Sequence, residues 1–334
     1  MKNERKIICV VGPTASGKTK LAVELAKKFG GEIISADSRQ VFRGLTIGTG
    51  KDLQEYDNIA YHLIDIKNSG EEFTLFDFLD LARVKIEEIF SKDKLPIIVG
   101  GTGLYVQALV EGFEISQKSK VKSKNCNLEV NKYSREELEK MAKGELQEIL
   151  IDIDEEAFLT IDLANPYRMI RAIEKAQGGE EIAKVKPNFE VLQIGVDVPR
   201  EILFNKIDSR ADAWFLEGFY EEVEGLLNDG VSLEWLNKIG LEYKILANYI
   251  ESQKAKGKIN LPVEASLKAM QAGNCNLEVI KDTEEFDLMK QEMKFKIHQY
   301  ARRQLTWFRR FSEIVWIQDI QGAESIAQKY LDEV

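Results

Sequence analysis

Short apolar runs alternate with amphipathic segments along the first third of the chain. Residues 7–11 and 95–99 are continuous apolar runs, which predict two buried strands. Residues 33–34 and 61–66 predict two shorter strands. Between these runs, apolar residues recur every three or four positions, the spacing of helices that cover one face of a sheet. Because strands that alternate with helices form right-handed parallel sheets, the pattern predicts an α/β fold.

Residues that favour helix ends mark where several of these helices begin. Thr74 with Asp77, and Ser134 with Glu137, have the spacing of a capping box, in which two residues satisfy each other's backbone N–H groups. The Asn-Pro pair at 165–166 predicts the start of another helix.

The second half of the chain is mostly helical by the same criteria. Residues 191–196 and 314–317 predict two more strands, and the polar, lysine-rich segment 116–132 predicts a linker or a mobile loop.

A glycine-rich loop joins the first predicted strand to the first predicted helix. Residues 12–19 read GPTASGKT, a complete match to the pattern G-x-x-x-x-G-K-[ST]. The glycines let backbone N–H groups turn towards a phosphate, and the helix N-terminus adds the positive end of its dipole. Lys18 adds a mobile positive charge, and Thr19 offers a hydroxyl to a metal ion. The loop predicts binding of a di- or triphosphate; the alternative is a glycine-rich turn without a ligand.

Residues near the predicted phosphate loop bear on the type of reaction. Asp37 follows a predicted strand, at the end where open parallel sheets bind ligands, but Asp-Ser is also a common cap of a turn or helix. Both possibilities stay open on spacing alone. The strongest buried strand ends in Gly100-Gly101, where a P-loop hydrolase usually has an acid that holds magnesium. The sequence therefore disfavours an NTP-hydrolysing motor.

Composition narrows the class of protein. The 334 residues include no apolar run of membrane length and no secretory signal at the start, so we expect a cytoplasmic protein without membrane association. The three cysteines form no C-x-x-C pair and the two histidines lie far apart, which argues against a zinc site. A net charge of −10 argues against a non-specific nucleic-acid coat but allows a local basic patch.

Two arginine-containing segments are candidates for RNA contact. Residues 299–311 read QYARRQLTWFRRF, in which four arginines are interleaved with aromatic residues. Arginines bind phosphates and aromatic rings stack on bases, so this segment predicts an RNA contact; the alternative is a core helix with a basic polar face. Arg168 and Arg171 share a helix face by spacing, and either bind an anion or RNA, or pair with Glu174 in solvent.

Six motifs occur in the order typical of one family. They read GPTASGKT, ISADSRQVFRGLTIGTGK, HLIDI, LPIIVGGTGLYVQALVEGF, NPYRMIRAIE and QYARRQLTWFRR. Together they resemble the tRNA dimethylallyltransferases, also called tRNA isopentenyltransferases or IPP transferases. The resemblance implies a P-loop NTPase-like core, with a parallel sheet flanked by helices, a helical insertion domain that swings, and a helical C-terminal region that clasps tRNA. The implied bounds are 1–115 for the first part of the core, 116–187 for the insertion domain, and 188–334 for the rest of the core with the tRNA-clasping region.

The reaction that this resemblance implies is the transfer of a dimethylallyl group from dimethylallyl diphosphate to tRNA. The acceptor is the exocyclic amine of the adenosine on the 3′ side of the anticodon, and diphosphate is released. The implied partners are dimethylallyl diphosphate and the anticodon stem-loop of tRNA. The implied cofactor is Mg²⁺, and we expect a monomer.

The resemblance also implies roles for individual residues. Asp37 would be the general base, Arg210 would neutralise charge on the leaving diphosphate, and Thr19 would hold the metal ion. The residues implied to bind the diphosphate are Gly12, Thr14, Ala15, Ser16, Gly17, Lys18 and Thr19. The residues implied to contact tRNA are Asp37, Ser38, Arg39, Gln40, Thr102, Tyr167, Arg168, Met169, Ile170, Arg171 and Arg303.

Three alternatives share parts of the pattern. A small-molecule kinase with the same P-loop core predicts ATP turnover, but the mostly helical second half and the segment 299–311 count against it. An adenylate prenyltransferase shares the chemistry, uses a free nucleotide as acceptor, and does not need that segment. A non-catalytic P-loop protein that binds RNA would make Asp37 and Arg210 dispensable.

Overall fold

The computed structural model describes residues 5–116, 133–177, 181–256 and 284–333. Nearly all of the segment predicted as a linker, residues 117–132, lies outside the described residues. The chain divides into two compact units: the first comprises Met1–Val110 and Pro187–Val334, and the second comprises Glu111–Lys186. The second unit is therefore an insertion in the sequence of the first.

A parallel sheet of six strands forms the centre of the first unit. The strands of the chain are β1 (Lys6–Val11), β2 (Gly31–Ser35), β3 (Tyr61–His62), β4 (Leu95–Gly100), β5 (Phe113–Ser116), β6 (Glu181–Lys184), β7 (Glu190–Val196) and β8 (Ile314–Ile317). All except β5 and β6 belong to this sheet, in the order β3-β2-β4-β1-β7-β8. Every pairing between neighbours is parallel, so the predicted α/β fold is confirmed.

Helices of the first unit precede and follow these strands. They are α1 (Lys18–Phe29), α2 (Leu75–Phe90), α3 (Gly103–Val110), α8 (Arg200–Leu216), α9 (Phe219–Asn228), α10 (Leu233–Ile239), α11 (Leu241–Ala255), α12 (Glu284–Phe308) and α13 (Ile320–Asp332). The helices of the second unit are α4 (Arg135–Lys140), α5 (Lys143–Ile153), α6 (Glu155–Thr160) and α7 (Pro166–Ala176). No helix in the described part of the chain is both long enough and apolar enough to cross a membrane.

The apolar runs of the sequence become the buried layers of the first unit. Residues 7–11 of β1 are fully buried, as a central parallel strand requires. One apolar cluster joins the sheet to α1 and α13, and a second joins α8, α9, α11 and α12 to the loop that follows β2. This second cluster includes Val41, Phe42 and Leu45, so it fixes the loop against the helices.

Helix ends follow the local signals of the sequence. Thr74 and Asp77 form a complete capping box at α2, as do Ser134 and Glu137 at α4. The α1 helix ends at Gly30, whose φ of 68° is the left-handed conformation that glycine adopts without strain. The two predicted capping boxes are confirmed, and each depends on contacts within a few residues.

The predicted strand at 61–66 is wrong beyond His62. Leu63 and Asp65 have φ values of 63° and 54°, which take the chain out of the sheet. The backbone N–H of Asp65 instead donates to the carbonyl of Gln40, and Lys51 pairs with its carboxylate at 2.5 Å. Residues 63–66 therefore contact the loop after β2 and do not extend the strand.

The second unit is a small helical body with one antiparallel strand pair. Its helices are α4 (Arg135–Lys140), α5 (Lys143–Ile153), α6 (Glu155–Thr160) and α7 (Pro166–Ala176), and β5 pairs with β6. Its buried apolar residues are Leu138, Leu146, Leu150, Met169, Ile170 and Ile173. The side chain of Asn165 accepts a hydrogen bond from the N–H of Tyr167 at 3.1 Å, so the predicted start of α7 is confirmed.

Candidate active site

A cavity of about 290 Å³ opens at the carboxyl ends of β1, β2 and β4. Open parallel sheets bind ligands at this end of the strands. The lining residues are Thr14, Ala15, Gly17, Lys18, Thr19, Asp37, Arg39, Gln40, Thr49, Gly50, Asp52, Glu55, Tyr56, Val99, Gly100, Lys206, Arg210, Tyr300 and Gln304. All of them belong to the first unit, and they include both Asp37 and the glycine-rich loop.

The glycine-rich loop turns around one side of this cavity. The N–H of Ser16 donates to the carbonyl of Pro13 at 3.3 Å, and Gly17, with a φ of 87°, leads into α1. The first N–H groups of α1 have no partner within the helix, so they are available to an anion. The loop therefore has the geometry of a phosphate cradle.

Two hydroxyl groups of this loop have no hydrogen-bond partner in the described part of the chain. The Oγ of Ser16 is buried without a partner, and a Cβ at Gly12 would lie 2.9 Å from it. Thr19, at the second position of α1, lines the cavity. A buried hydroxyl without a partner at such a loop is a sign that a ligand completes it. Of the residues predicted to bind diphosphate, only Gly12 and Ser16 do not line the cavity.

Lys18 carries the positive charge closest to the loop. Its Nζ donates to the carbonyl of Pro13 at 3.2 Å. The pKa of Lys18 is lowered to about 8, chiefly by burial; the positive charges of Arg210 and Arg39 contribute to the lowering, and the carboxylate of Asp37 opposes it. An anionic ligand would relieve this repulsion, so proton uptake by Lys18 and anion binding favour each other.

Asp37 occupies both of the places that its spacing left open, at the ligand end of a strand and at the cap of a turn. Its Oδ1 accepts hydrogen bonds from the N–H of Arg39 at 2.9 Å and of Gln40 at 3.4 Å, which caps the turn after β2. Its Oδ2 has no hydrogen bond with any described residue, and the side chain lines the cavity. One oxygen thus fixes the carboxylate, and the other is free to accept a proton.

The end of β4 has no room for a magnesium-binding acid. A Cβ at Gly100 would lie 2.1 Å from the carbonyl oxygen of Ala36, so the strand can carry no side chain there. Within the described ranges, no group of three or more His, Cys, Asp or Glu residues could hold a metal ion. The side-chain oxygens that line this cavity and could contact Mg²⁺ include the hydroxyl of Thr19 and the carboxylates of Asp37, Asp52 and Glu55, and Mg²⁺ prefers oxygen ligands from a few side chains, phosphates and water.

Arg39 is held rigidly, and its charge is partly compensated. Its guanidinium pairs with the buried carboxylate of Glu242, at the start of α11, and lies 5.7 Å from the ring centre of Tyr300. Burial alone would lower the pKa of Arg39, but the Glu242 carboxylate raises it above its usual value, so the guanidinium stays charged. Burial raises the pKa of the Tyr300 hydroxyl to about 12.

Arg210, unlike Arg39, has no carboxylate paired directly with its guanidinium in the described part of the chain. It has no ion pair or hydrogen bond with any described residue, and its guanidinium carbon lies 5.9 Å from the ring centre of Trp214. The guanidinium occupies the space beside Gly50, where a Cβ would lie 1.7 Å from Nη2. Arg210 therefore lines the cavity as a positive charge without a direct ion pair among the described residues, and its charge acts on both Lys18 and Glu55.

Gln304, on α12, connects two loops at the cavity. Its Oε1 accepts a hydrogen bond from the N–H of Thr14 at 2.9 Å, and its Nε2 donates to the carbonyl of Gly101 at 2.9 Å. The residue is only 6% exposed. The segment 299–311 thus reaches the phosphate loop, in addition to the arginines that it presents to solvent.

The remaining residues predicted to contact tRNA in the first unit lie around the cavity. The N–H of Ser38 donates to the hydroxyl of Thr102 at 3.0 Å, which joins the loops after β2 and β4. The side-chain amide of Gln40 donates to the carbonyls of Thr49 and Gly50 at 3.3 Å. Arg303 is exposed on α12, beside the ring of Tyr300.

The other predicted tRNA contacts lie on α7, in the second unit. Met169 and Ile170 are buried in the core of that unit, which favours a packing role for their side chains. Tyr167, Arg168 and Arg171 are exposed. Arg171 pairs with Glu174 at 3.2 Å, the solvated pair that its spacing also allowed, and Arg168 with Asp162 at 3.6 Å. The tRNA contact at α7 stays a prediction, and on this helix the side chains exposed to such a partner are those of Tyr167, Arg168 and Arg171.

Several residues of the site were not predicted from the sequence. Gly50, Lys206, Glu242, Tyr300 and Gln304 line the cavity or hold a residue that does. Lys206 precedes Arg210 by four residues on α8, and residues at this spacing share a helix face, so the sequence could have placed Lys206 beside Arg210. The positions of Glu242, Tyr300 and Gln304 depend on contacts across more than 200 residues, for which the sequence has no local signal.

Comparisons with known proteins agree with this architecture. A family model described as IPP transferase matches residues 40–311, and one described as isopentenyl transferase matches residues 5–58. The tRNA dimethylallyltransferase 2 of Shewanella sediminis is 40% identical over 98% of this chain and 97% of its own. The tRNA dimethylallyltransferase of Streptococcus agalactiae is 37% identical over 97% and 95%.

Solved structures give the same result. The tRNA isopentenylpyrophosphate transferase of Bacillus halodurans matches with a TM-score of 0.61 and 32% identity, over 98% of this chain and 97% of that one. The corresponding protein of Staphylococcus epidermidis matches with a TM-score of 0.60 and 31% identity, over 98% and 99%. The chain belongs to the IPP transferase family, the family of the tRNA dimethylallyltransferases.

Proposed function

We propose that this protein transfers a dimethylallyl group from dimethylallyl diphosphate to tRNA. The acceptor is the exocyclic amine of the adenosine on the 3′ side of the anticodon, and diphosphate leaves. The observation that carries the proposal is that one cavity contains a phosphate loop, the unpaired Arg210 and the free Oδ2 of Asp37. The names of the relatives support the substrate pair.

In this proposal the two sides of the cavity have different tasks. The loop amides and Lys18 bind the diphosphate, and Arg210 stabilises the charge that grows on it as the bond to the allylic carbon breaks. The amine forms the new bond to that carbon, and its proton passes to Oδ2 of Asp37. The bonding electrons of the broken bond leave with the diphosphate. Alignment of the amine matters as much as proton removal, because an exocyclic amine is a weak nucleophile.

Thr19 would hold Mg²⁺ together with oxygens of the diphosphate. The ion would neutralise negative charge on the leaving group when it is bound. The residues fit this role, since the Thr19 hydroxyl lines the cavity and hydrogen-bonds to no residue in the described ranges.

The acceptor adenosine must leave its stack in the anticodon loop to reach this cavity. Arg303 on α12, and Tyr167, Arg168 and Arg171 on α7, are exposed residues suited to contacts with the anticodon stem-loop. We propose that the enzyme acts as a monomer in the cytoplasm, where tRNA serves translation.

A transfer assay with labelled dimethylallyl diphosphate tests this function. The acceptors are unmodified tRNA, AMP and ATP, and the enzymes are wild type, Asp37→Asn and Asp37→Ala. We expect label on tRNA only. Both variants should lose about 10²-fold or more in rate, because neither can accept the proton. Asp37→Asn should keep its melting temperature, since its side-chain oxygen can still cap the turn, whereas Asp37→Ala should lose about 1 kcal/mol of stability.

Each other outcome would contradict the proposal in a different way. Label on AMP or ATP would identify an adenylate prenyltransferase. Consumption of ATP without label on any acceptor would indicate a kinase. Full activity of a folded Asp37→Asn enzyme would reject Asp37 as the base.

A further inference from the structure

Gln304 accepts a hydrogen bond from the backbone N–H of Thr14, a group that a phosphate loop would otherwise offer to its ligand. The side-chain Oε1 accepts from the N–H of Thr14, the third residue of the loop, at 2.9 Å. The N–H of Ser16 is also used, by the carbonyl of Pro13. In the described part of the chain, the N–H groups of Ala15, Gly17, Lys18 and Thr19 have no partner, so the anion-binding end of the loop is the end next to α1.

The side chain of Gln304 is fixed in this position from both sides. Its Nε2 donates to Gly101, and a Cβ at Gly101 would lie 2.4 Å from that nitrogen. One turn further along α12, Trp307 packs on Gly103 so closely that a Cβ there would lie 2.2 Å from the ring. The helix therefore cannot withdraw from the loop without losing both contacts. Gln304 also lines the cavity, so its carboxamide forms part of the wall that a bound phosphate chain would meet.

We propose that Gln304 determines the length of the phosphate chain that the loop accepts, so that a diphosphate fits and a triphosphate does not. A phosphate chain that lies along such a loop uses the N–H groups at the helix end first and then those nearer the start of the loop. Beyond the free N–H of Ala15, the next donor in that direction is the N–H of Thr14, and Gln304 occupies it. A third phosphate would meet a neutral carboxamide, whose oxygen already accepts from Thr14 and one of whose two N–H groups already donates to Gly101.

This inference rests on the proposed function, since it explains why the site would bind a prenyl diphosphate and not a nucleoside triphosphate. It makes Gln304 a specificity-determining residue that acts on the phosphate chain, without contact to the reacting carbon or amine. It also explains why a complete G-x-x-x-x-G-K-[ST] pattern is compatible with an enzyme that uses no ATP. A triphosphate has more negative charge than a diphosphate, so simple charge attraction would favour the triphosphate.

Titration calorimetry with inorganic pyrophosphate and inorganic triphosphate tests the inference, at one Mg²⁺ concentration. The proteins are wild type, Gln304→Ala, Gln304→Met and Gln291→Ala, the last being an exposed glutamine of α12 far from the cavity. We expect wild type to prefer pyrophosphate at least tenfold. Gln304→Ala, which removes the carboxamide and frees the N–H of Thr14, should reduce this preference at least fivefold, mainly by binding triphosphate more tightly. Gln291→Ala should keep the preference.

Gln304→Met decides the question if Gln304→Ala does not fold. Methionine has a similar length but accepts no strong hydrogen bond, so it frees the N–H of Thr14 while it keeps the packing. It should reduce the preference about threefold. A folded Gln304 variant with an unchanged ratio of the two affinities would overturn the inference, as would a wild-type protein that prefers triphosphate. Absence of pyrophosphate binding and of prenyl transfer in wild type would instead reject the proposed function.

Discussion

Replacing Gly50 with alanine should move the Arg210 guanidinium without removing it. A Cβ at Gly50 would lie 1.7 Å from Nη2 of Arg210, and ordinary contact begins at 3.4 Å. The guanidinium must therefore retreat by at least about 1.7 Å, the difference between these distances. Because the clash involves the far end of a flexible side chain, the fold can accommodate it. The φ of 62° at this position adds a cost of about 1–2 kcal/mol for a residue with a Cβ.

A displacement of this size is large for a group that stabilises a transition state. Misplacement by 1 Å can reduce a rate about 10²-fold. We expect Gly50→Ala to reduce kcat/KM for prenyl transfer by roughly that factor or more, since the charge on the leaving diphosphate would lose its partner. Steady-state transfer kinetics with tRNA and dimethylallyl diphosphate measure the effect, and thermal unfolding measures the change in stability.

Gly70→Ala is the matched control for this prediction. Gly70 has a φ of 94°, and no atom lies within 4 Å of a Cβ built there, so alanine adds backbone strain but no clash. It should reduce stability about as much as Gly50→Ala and leave kcat/KM within about twofold. The double variant Gly50→Ala/Arg210→Ala should be no slower than Arg210→Ala alone, because both changes remove the same interaction. Multiplied effects in the double variant, or near-wild-type kinetics of Gly50→Ala, would refute the reasoning.

Three further predictions concern titration and reactivity. The affinity for pyrophosphate should fall up to tenfold per pH unit above about pH 8. The pKa of Lys18 is about 8 in the free protein, so above that pH Lys18 must take up a proton when the anion binds. Calorimetry in buffers of different ionisation enthalpy detects this proton uptake. Burial alone would raise the pKa of Glu32, but hydrogen bonds from Lys94, His62 and Lys92 lower it to about 2. The contribution of this carboxylate to the free energy of unfolding, about 1–3 kcal/mol, is therefore complete above pH 4.5 and is lost as the pH falls towards 2. The difference in stability between wild type and Glu32→Gln should shrink over that pH range, and a constant difference would contradict this assignment. Burial raises the pKa of the Cys9 thiol far above its usual value, so Cys9 should resist alkylation until the protein unfolds, as mass spectrometry of native and denatured samples can check.

Local signals in the sequence predicted the framework of the site. The phosphate loop, the capping box of Thr74 and Asp77, and the final strand at 314–317 depend on residues that are neighbours in sequence, and the structure has all of them. Asp37 was identified as a residue at the ligand end of a strand, and the structure places it there. The end of the strand at 61–66 was wrong because Asp65 bonds to Gln40 and Lys51, which no periodicity reveals.

Residues distant in sequence completed the site in ways that the pattern did not predict. The arginines of the segment 299–311 predict an RNA contact, but its sequence does not predict the role of Gln304. That role depends on contacts to Thr14 and Gly101, which are far from Gln304 in the sequence. The ion pair of Arg39 with Glu242 was not predicted either; of the two arginines that line the cavity, it leaves Arg210 as the one without a direct ion pair to a described residue. Such pairings depend on how the helices pack, and packing is a property of the whole chain.

The hydrogen bond between Thr14 and Gln304 has a consequence for folding during synthesis on the ribosome. The two residues are separated by 290 positions, so at typical elongation rates roughly 15 to 60 s pass between their synthesis. During that time β1 can pair with β4, but its other neighbour, β7, emerges only after the whole inserted unit. A nascent chain therefore exposes one edge of its central strand and a phosphate loop without its final constraint. Chaperones that bind unpaired strand edges have their main opportunity in this interval, and the cavity takes its final form only when α12 arrives.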